Sequence, residues 1–383
     1  MSPYPAKLDE LVDWNSLLHS LQNERCILCV GPDILNPPTG ERLEEQLANY
    51  LRTHEKALKI SVYDDGWFHY QPGANELSPY LKVKAFYDQP HPWAEDIMGM
   101  IAKMPFHFVL NFSPDYKLKS AYEKHAPGFV FDSYKRSKPY NPALKVPTRD
   151  HPLVFNMLGE LKEKDSLVMT YKDYYEYIRS VIHSRSMSDD LENNIYDAEY
   201  FIFLGMPFDK WYVHLFMHLL HQHMKGRTPK FSANTFLDEK IGTLCDEQYM
   251  MTFVPKEIDI EVFVRTLYEK CAEYGMLRGN GTQPQVELPK PALPFGQLRE
   301  WIIGNDFDSL FDFLVRRLTD TEWLDECDKL EGQYQDLLRR QRRGTLSQEQ
   351  ETLERNRIRD AIFDFVRLLQ KHFDDSPAVM IPN

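Results

Sequence analysis

Cysteine is sparse in this chain: five in 383 residues, at Cys26, Cys29, Cys245, Cys271 and Cys327. An odd and scattered set does not make a disulfide framework. Long apolar runs are missing as well. None reaches the roughly 18 residues of a membrane-spanning helix, and the stretch Tyr200–Met206 is typical in being short. The start, MSPYPAKLDELVDW, has no basic segment leading into an apolar one, so no secretory signal is visible and a cytoplasmic location is expected. Basic surplus is also absent. Asp and Glu number 58 against 45 Lys and Arg, a net charge of −13, which argues against broad binding to a phosphate backbone. Neither nucleic acid nor membrane is an expected partner.

What is present is ordinary globular material. Hydrophobic residues make up 43% and charged residues 27%, enough for a sizeable core and two or three domains. Aromatics reach 13%, mostly Tyr and Phe, and supply large buried contacts or interfaces. Trp67, Phe68, Tyr70, Tyr80 and Phe86 crowd one segment, read first as core and second as a recognition surface.

Residues 277–294 (LRGNGTQPQVELPKPALP) form the one evident boundary, because their glycines and prolines break helices and remove backbone donors. Residues 1–276 are then a body, 277–294 a linker and 295–376 a tail. In the body, strands are predicted at Arg25–Gly31, His107–Leu110, Leu153–Phe155, Leu167–Met169 and Glu199–Leu204. Helices are predicted at Leu8–Leu21, Leu43–Leu51 and Asp209–Met224. Alternation of the two predicts an α/β fold with a Rossmann-like parallel sheet. The tail reads as a small all-α bundle. Its helices are Phe295–Ile303, Phe307–Leu318 behind Asp306, Thr321–Arg343, and one from Ser347 to about Phe373. Ser347 and Gln350 form a capping-box pattern. Ile358, Ala361, Ile362, Phe365, Leu368 and Leu369 fall at helical spacing on one face.

Two small constellations have bland readings. Cys26 and Cys29 lie in a strand, where alternation sends them to opposite faces, so buried thiols are expected rather than a redox pair. His214, His218 and His221 stand at i, i+4 and i+7 on one helix with His223 near. Zinc spacing is met only in part, with neither a HExxH glutamate nor a fourth ligand, so no metal is expected.

Five segments, in order, carry a resemblance: RCILCVGPDIL (Arg25–Leu35), PFHFVLNFSPDY (Pro105–Tyr116), LVFNMLGEL (Leu153–Leu161), SLVMTYKDYYEYI (Ser166–Ile178) and FIFLGMPFDKWY (Phe201–Tyr212). Together they resemble the sirtuin-like NAD-hydrolase domains of bacterial antiviral defence. The resemblance implies a phosphate-binding turn at Gly31, Pro32, Asp33 and Leu35, a ribose-binding residue at Ser113 and a general base at Leu158. Gly31 keeps the first glycine of the turn, and the other positions depart from the family. Proline has no N–H, aspartate repels phosphate, and leucine accepts no proton. Gly159, Asp115, Asp173, Gly205 and Asp209 are retained and read as turns and caps.

In the tail, LREWIIGNDFDSLFDFL (Leu298–Leu314), LEGQYQDLLRRQRRGTLSQEQ (Leu330–Gln350) and ERNRIRDAIFDFV (Glu354–Val366) resemble a helical effector-associated domain of prokaryotic conflict systems. That resemblance implies a protein partner bearing a matching domain. It also marks Arg339, Arg340, Arg342, Arg343 and Arg357 as partner-binding candidates. The expectation is a non-enzymatic adaptor or scaffold: a pseudoenzyme body with no cofactor and no catalytic residue, a recruiting tail, and room for homo-oligomer formation. Two alternatives stand beside it. One is a regulated NAD(P) hydrolase using Asp115, Asn111 or Asn156. The other is a sensor of NAD or ADP-ribose without turnover.

Overall fold

The computed structural model describes the chain apart from residues 1–7, 10, 37–39, 64–65, 136–143, 145, 184–188, 223–227, 237, 280–294, 318–320, 343–347 and 376–383. It divides into two compact units, Met1–Leu288 and Pro289–Asn383.

In the body the strands, in chain order, are β1 (Cys26–Val30), β2 (Ile60–Val62), β3 (Phe68–Tyr70), β4 (Phe108–Asn111), β5 (Val130–Ser133), β6 (Leu153–Asn156), β7 (Tyr200–Leu204), β8 (Lys230–Ala233) and β9 (Met251–Phe253). The helices are α1 (Trp14–Gln22), α2 (Leu43–Arg52), α3 (Glu55–Leu58), α4 (Leu77–Tyr87), α5 (Pro92–Lys103), α6 (Lys117–His125), α7 (Tyr171–His183), α8 (Asp189–Tyr196), α9 (Trp211–Gln222), α10 (Glu239–Tyr249) and α11 (Ile260–Glu273), with a 3₁₀ turn at Pro32–Leu35. Seven strands form one parallel sheet in the order β5-β6-β4-β1-β7-β8-β9, and β2 and β3 pair as a separate antiparallel hairpin.

Strands β1 and β7 are apolar at every position because helices cover both faces. Alternation sorts their side chains between two cores. Cys26, Leu28 and Val30 join Leu17, Ile97 and Phe263 on one side. Ile27 and Cys29 join Tyr174 and Phe216 on the other. Cys26 and Cys29 thus occupy different cores, each a buried free thiol.

Local chemistry sets the helix starts. Asp13 opens α1 by accepting from the Ser16 amide (3.2 Å) and hydroxyl (2.6 Å). Asp173 and Thr170 cap α7 reciprocally: Asp173 N–H donates to Thr170 Oγ1 (3.1 Å), and Thr170 N–H donates to Asp173 Oδ2 (3.0 Å). The same carboxylate takes the Met169 amide at 3.2 Å. This explains why Leu167–Met169, predicted as a strand, is not one. Its amides serve the cap and the carbonyls of Leu158 and Lys164, and Thr170 beside it forms an isolated bridge with Phe68.

Leu277 and Arg278 correct the start of the linker. Leu277 is buried in the body core. The Arg278 guanidinium donates to the carbonyls of Met104 (3.1 Å), Phe106 (2.6 Å) and Arg149, while its amide donates to Lys103 (2.8 Å). Four hydrogen bonds to two body segments, 103–106 and Arg149, outweigh the local Gly-rich composition. The rest of the proposed linker, from residue 280, lies outside the described residues.

In the tail, α12 (Phe295–Ile303), α13 (Phe307–Arg317), α14 (Thr321–Arg342) and α15 (Gln348–Asp375) enclose one apolar core. Asp306 accepts from the Ser309 amide at 3.3 Å, as a cap for α13 requires. Ser347 and Arg343 lie outside the described residues. Ile358, Ile362, Phe365 and Leu369 face the core as predicted. Leu368 does not: it is 54% exposed and Val366 takes the inward place. On a 3.6-residue helix the stripe through Ile362, Phe365, Val366 and Leu369 rotates past position 368.

Candidate functional site at the carboxyl edge of the sheet

In open parallel sheets, ligands bind beyond the carboxyl ends of the strands, where the winding direction reverses. Here it reverses at β1, with β4 on one side and β7 on the other. The turns leaving β1, β4, β6 and β7 bring Pro32, Phe112, Leu158 and Met206 together around a common space.

The turn after β1 is closed by its own backbone. Gly31 N–H donates to Leu204 O (2.8 Å), Asp33 N–H to Gly205 O (3.0 Å) and Ile34 N–H to Gly31 O (3.3 Å). Pro32 has no N–H. Among Gly31–Ile34, then, no amide remains to face a ligand. The contact with β7 is tight enough to require two glycines. A Cβ on Gly31 would lie 2.2 Å from Gly205 O, and one on Gly205 would lie 2.3 Å from Ile34 N. Gly205 also holds φ at +62°, in the left-handed region. Leu35 points away from the crevice into the core.

Behind this turn sits a cluster of charges that the sequence did not announce, buried at Asp33 and Arg42 and open to solvent at Asp209. Arg42, the residue preceding α2, donates to Asp209 Oδ1 (2.5 Å) and to Phe236 O (2.6 Å), and its Nε lies 3.8 Å from Asp33 Oδ2. Asp33 is 2% exposed. Burial pushes its carboxyl up, Arg42 pulls it down and Glu44 and Asp209 push it up again, to about 7. Lys210 Nζ stands 3.9 Å from Asp209 Oδ2. Glu44, in the first turn of α2, accepts from the Tyr212 hydroxyl at 2.7 Å. Its other oxygen, Oε2, is fully covered and has no hydrogen-bond partner, although the residue as a whole is only half-buried. Burial raises the Glu44 carboxyl, against the pull of the Tyr212 hydroxyl, Lys210 and Arg42.

Ser113 is 2% exposed, and its hydroxyl is bonded to Asp115, which in turn accepts the Lys117 amide (2.7 Å) at the start of α6. Asn111 and Asn156 are cross-strand partners. Asn111 Nδ2 donates to Asn156 Oδ1 (2.8 Å) and to Ser113 O (2.8 Å), and both residues are at most 2% exposed. Leu158 is half-buried and lines the cavity. Gly159 holds φ at +83°, and a Cβ there would meet Ser166 O at 2.1 Å.

Above this layer lies a cavity of about 90 Å³, walled by Trp67, Phe68, Tyr87, Phe112, Leu158 and Tyr212, with Glu44 as its carboxylate. A smaller one of about 20 Å³ shares Pro32, Glu44, Phe112, Leu158 and Tyr212. The aromatic segment read first as core is buried at Trp67, Phe68, Tyr80 and Phe86, and its first two residues also wall the cavity.

The tail arginines divide. Arg340 makes a two-pronged pair with Glu354 (2.8 and 2.9 Å), joining α14 to α15. Arg339 bonds back to Gln335 O on its own helix at 3.3 Å. Arg339, Arg342 and Arg357 are exposed. Among the described residues, no group of His, Cys, Asp and Glu is arranged to hold a metal ion, and no helix is long and apolar enough to cross a membrane. His223 lies outside them.

No curated protein matches this chain. Two family comparisons do. The first begins at β4, so β1 and its closed turn lie outside the matched region. The chain joins a SIR2-like domain, matched over residues 110–247, to an Effector-associated domain 11, matched over residues 294–370.

Proposed function

We propose that this chain is a non-enzymatic adaptor of a defence or conflict system, with a SIR2-like body that has lost dinucleotide chemistry and a tail that recruits a protein partner. The observation that carries this reading is the turn after β1. Its amides at Gly31, Asp33 and Ile34 are bonded to the protein itself, and Asp33 stands where negative charge is least welcome. The residues present do not fit the pyrophosphate of NAD. The general-base position implied by the resemblance is Leu158, which accepts no proton. Ser113 has its hydroxyl committed to Asp115. Asn111 and Asn156, the substitutes an unusual hydrolase would need, are bonded to each other beneath the crevice.

The tail supports recruitment through Arg339, Arg342 and Arg357, which stand in solvent on an otherwise acidic chain and suit an acidic surface on a partner domain. Two measurements test the proposal. Purified chain is expected to leave NAD intact, alone and with the products of neighbouring genes. One of those products is expected to co-elute with the full chain and to be lost when the chain ends at Gly279. NAD loss that disappears in Asn111→Ala or Asn156→Ala would replace the adaptor reading by the hydrolase reading.

A further inference from the structure

The outer face of α15 carries a pattern that is its own complement. The helix buries Ile358, Ile362, Phe365 and Leu369 in the tail core. On its other side Leu353, Arg357, Asp360, Asp364 and Leu368 are all exposed, and spacings of three or four keep them on one stripe. Leu353 and Leu368 are each 54% exposed, at the two ends of a run that is otherwise charged. They stand about 22 Å apart along the helix, at about 1.5 Å per residue. Midway between them the chain passes from Asp360 to Ala361, and Arg357 and Asp364 lie at equal distances on either side of that point. A two-fold axis through the midpoint therefore sets a second α15 antiparallel to the first. Leu353 then meets Leu368, and Arg357 meets Asp364, each contact being made twice. Arg357 has no ion-pair partner among the described residues. Asp364 has Arg367 at 3.8 Å, with both side chains about three-quarters in solvent, a pair that is easily exchanged. The two Asp360 carboxylates fall near the axis, and Arg357 stands one turn from each. Other registers are worse. A shift of one turn sets Arg357 against Arg367 and Asp360 against Asp364, and one turn the other way sets Leu353 against Asp364.

We infer that α15 joins two copies of this chain as an antiparallel, two-fold helix pair through Leu353, Arg357, Asp364 and Leu368. A single helix pair is at the small end of specific interfaces, so a dissociation constant of about 10–100 µM is expected. The inference goes beyond the adaptor reading, because it concerns the tail with itself and holds whether the body is inert or active.

Sedimentation equilibrium of the full chain at about 5–500 µM tests it, a range that brackets the expected constant. Arg357→Asp and Asp364→Arg each place like charges opposite one another at both ends of the pair, and each alone is expected to weaken dimerisation about tenfold. Mixed one to one, the two variants complement each other. Dimer is then expected to return to within about threefold of the unaltered chain, as it is in the double variant. Leu353→Gln leaves every charge in place and gives a second route to the same loss if a charge variant does not fold. A chain that stays monomeric up to about 500 µM, a dimer that none of the folded single variants weakens, or a mixture no more associated than its two components would each overturn the inference. Co-elution with the product of a neighbouring gene is a separate measurement, so the adaptor reading and the pairing of tails fail independently.

Discussion

Arg42 in the body is 7% exposed, its guanidinium enclosed by Asp209, Asp33 and Phe236. Arg342 in the tail, the last residue of a long helix, stands in solvent. One is fixed by partners from three separate segments of its own chain. The other has no such enclosure and is available to another molecule. Within the tail the same contrast recurs at closer range, between Arg340, clamped to Glu354, and Arg342. A run of arginines is therefore not one surface. Which of them faces outward is decided by what the neighbouring helix offers.

The largest way to break the comparison is to disturb the closed turn. Gly31→Ala places a Cβ 2.2 Å from Gly205 O, a backbone atom that cannot swing aside. A loss of about 3 kcal/mol is expected in the body, read as an earlier first transition in thermal or denaturant unfolding. The tail transition should not move. A single shifted transition for the whole chain would mean that the two units do not unfold separately.

Asp33 sharpens the comparison by pH. Its carboxyl titrates at about 7 in the folded body, above its ordinary value of 3.8. Between those values the folded chain keeps a proton that the unfolded chain has released. Stability therefore falls as pH rises from about 4 to about 7, by up to about 1.4 kcal/mol per unit, and is flat in this respect above. Asp33→Asn should remove that slope and gain stability over the unaltered chain at pH 8. Denaturation midpoints at pH 5, 6, 7 and 8 provide the check, and parallel curves for the two proteins would show that Arg42 keeps Asp33 ionised throughout.

The smallest effects belong to the tail. Arg340→Ala should lower tail stability by about 0.5–1 kcal/mol, because the pair with Glu354 is part-exposed and screened. Arg342→Ala should leave tail melting unchanged and reduce co-elution of the partner. The reverse pattern would reassign the two residues.

The parallel sheet was legible where strands are continuous apolar runs, as at β1 and β7, each ending in glycine. It was not legible at β5, β8 and β9. Those strands are three or four residues long, and β5 carries Asp132 and Ser133 while β8 carries Lys230 and Ser232. Polar side chains can enter such strands because neighbours satisfy them, as Thr228 O satisfies Lys230, and no local pattern signals that. The site was half legible. Gly31, Asp33 and Leu158 were recognised by their order along the chain. Arg42 and Glu44 were not, since GERLEEQL reads as the solvated first turn of any helix. The pairing of Arg42 with Asp209 spans 167 positions, beyond the reach of spacing arguments.

The scattered cysteines acquire a use from where the fold puts them. All five are fully buried, and burial pushes every thiol upward, so none offers a reactive thiolate in the native chain. Four lie in the body, and Cys327 alone lies in the tail. An alkylating reagent added to the native protein is thus a clock for opening, and the mass of the modified peptide tells which unit opened. The chain carries one internal reporter for its helical tail and four for its α/β body, without any label having to be introduced.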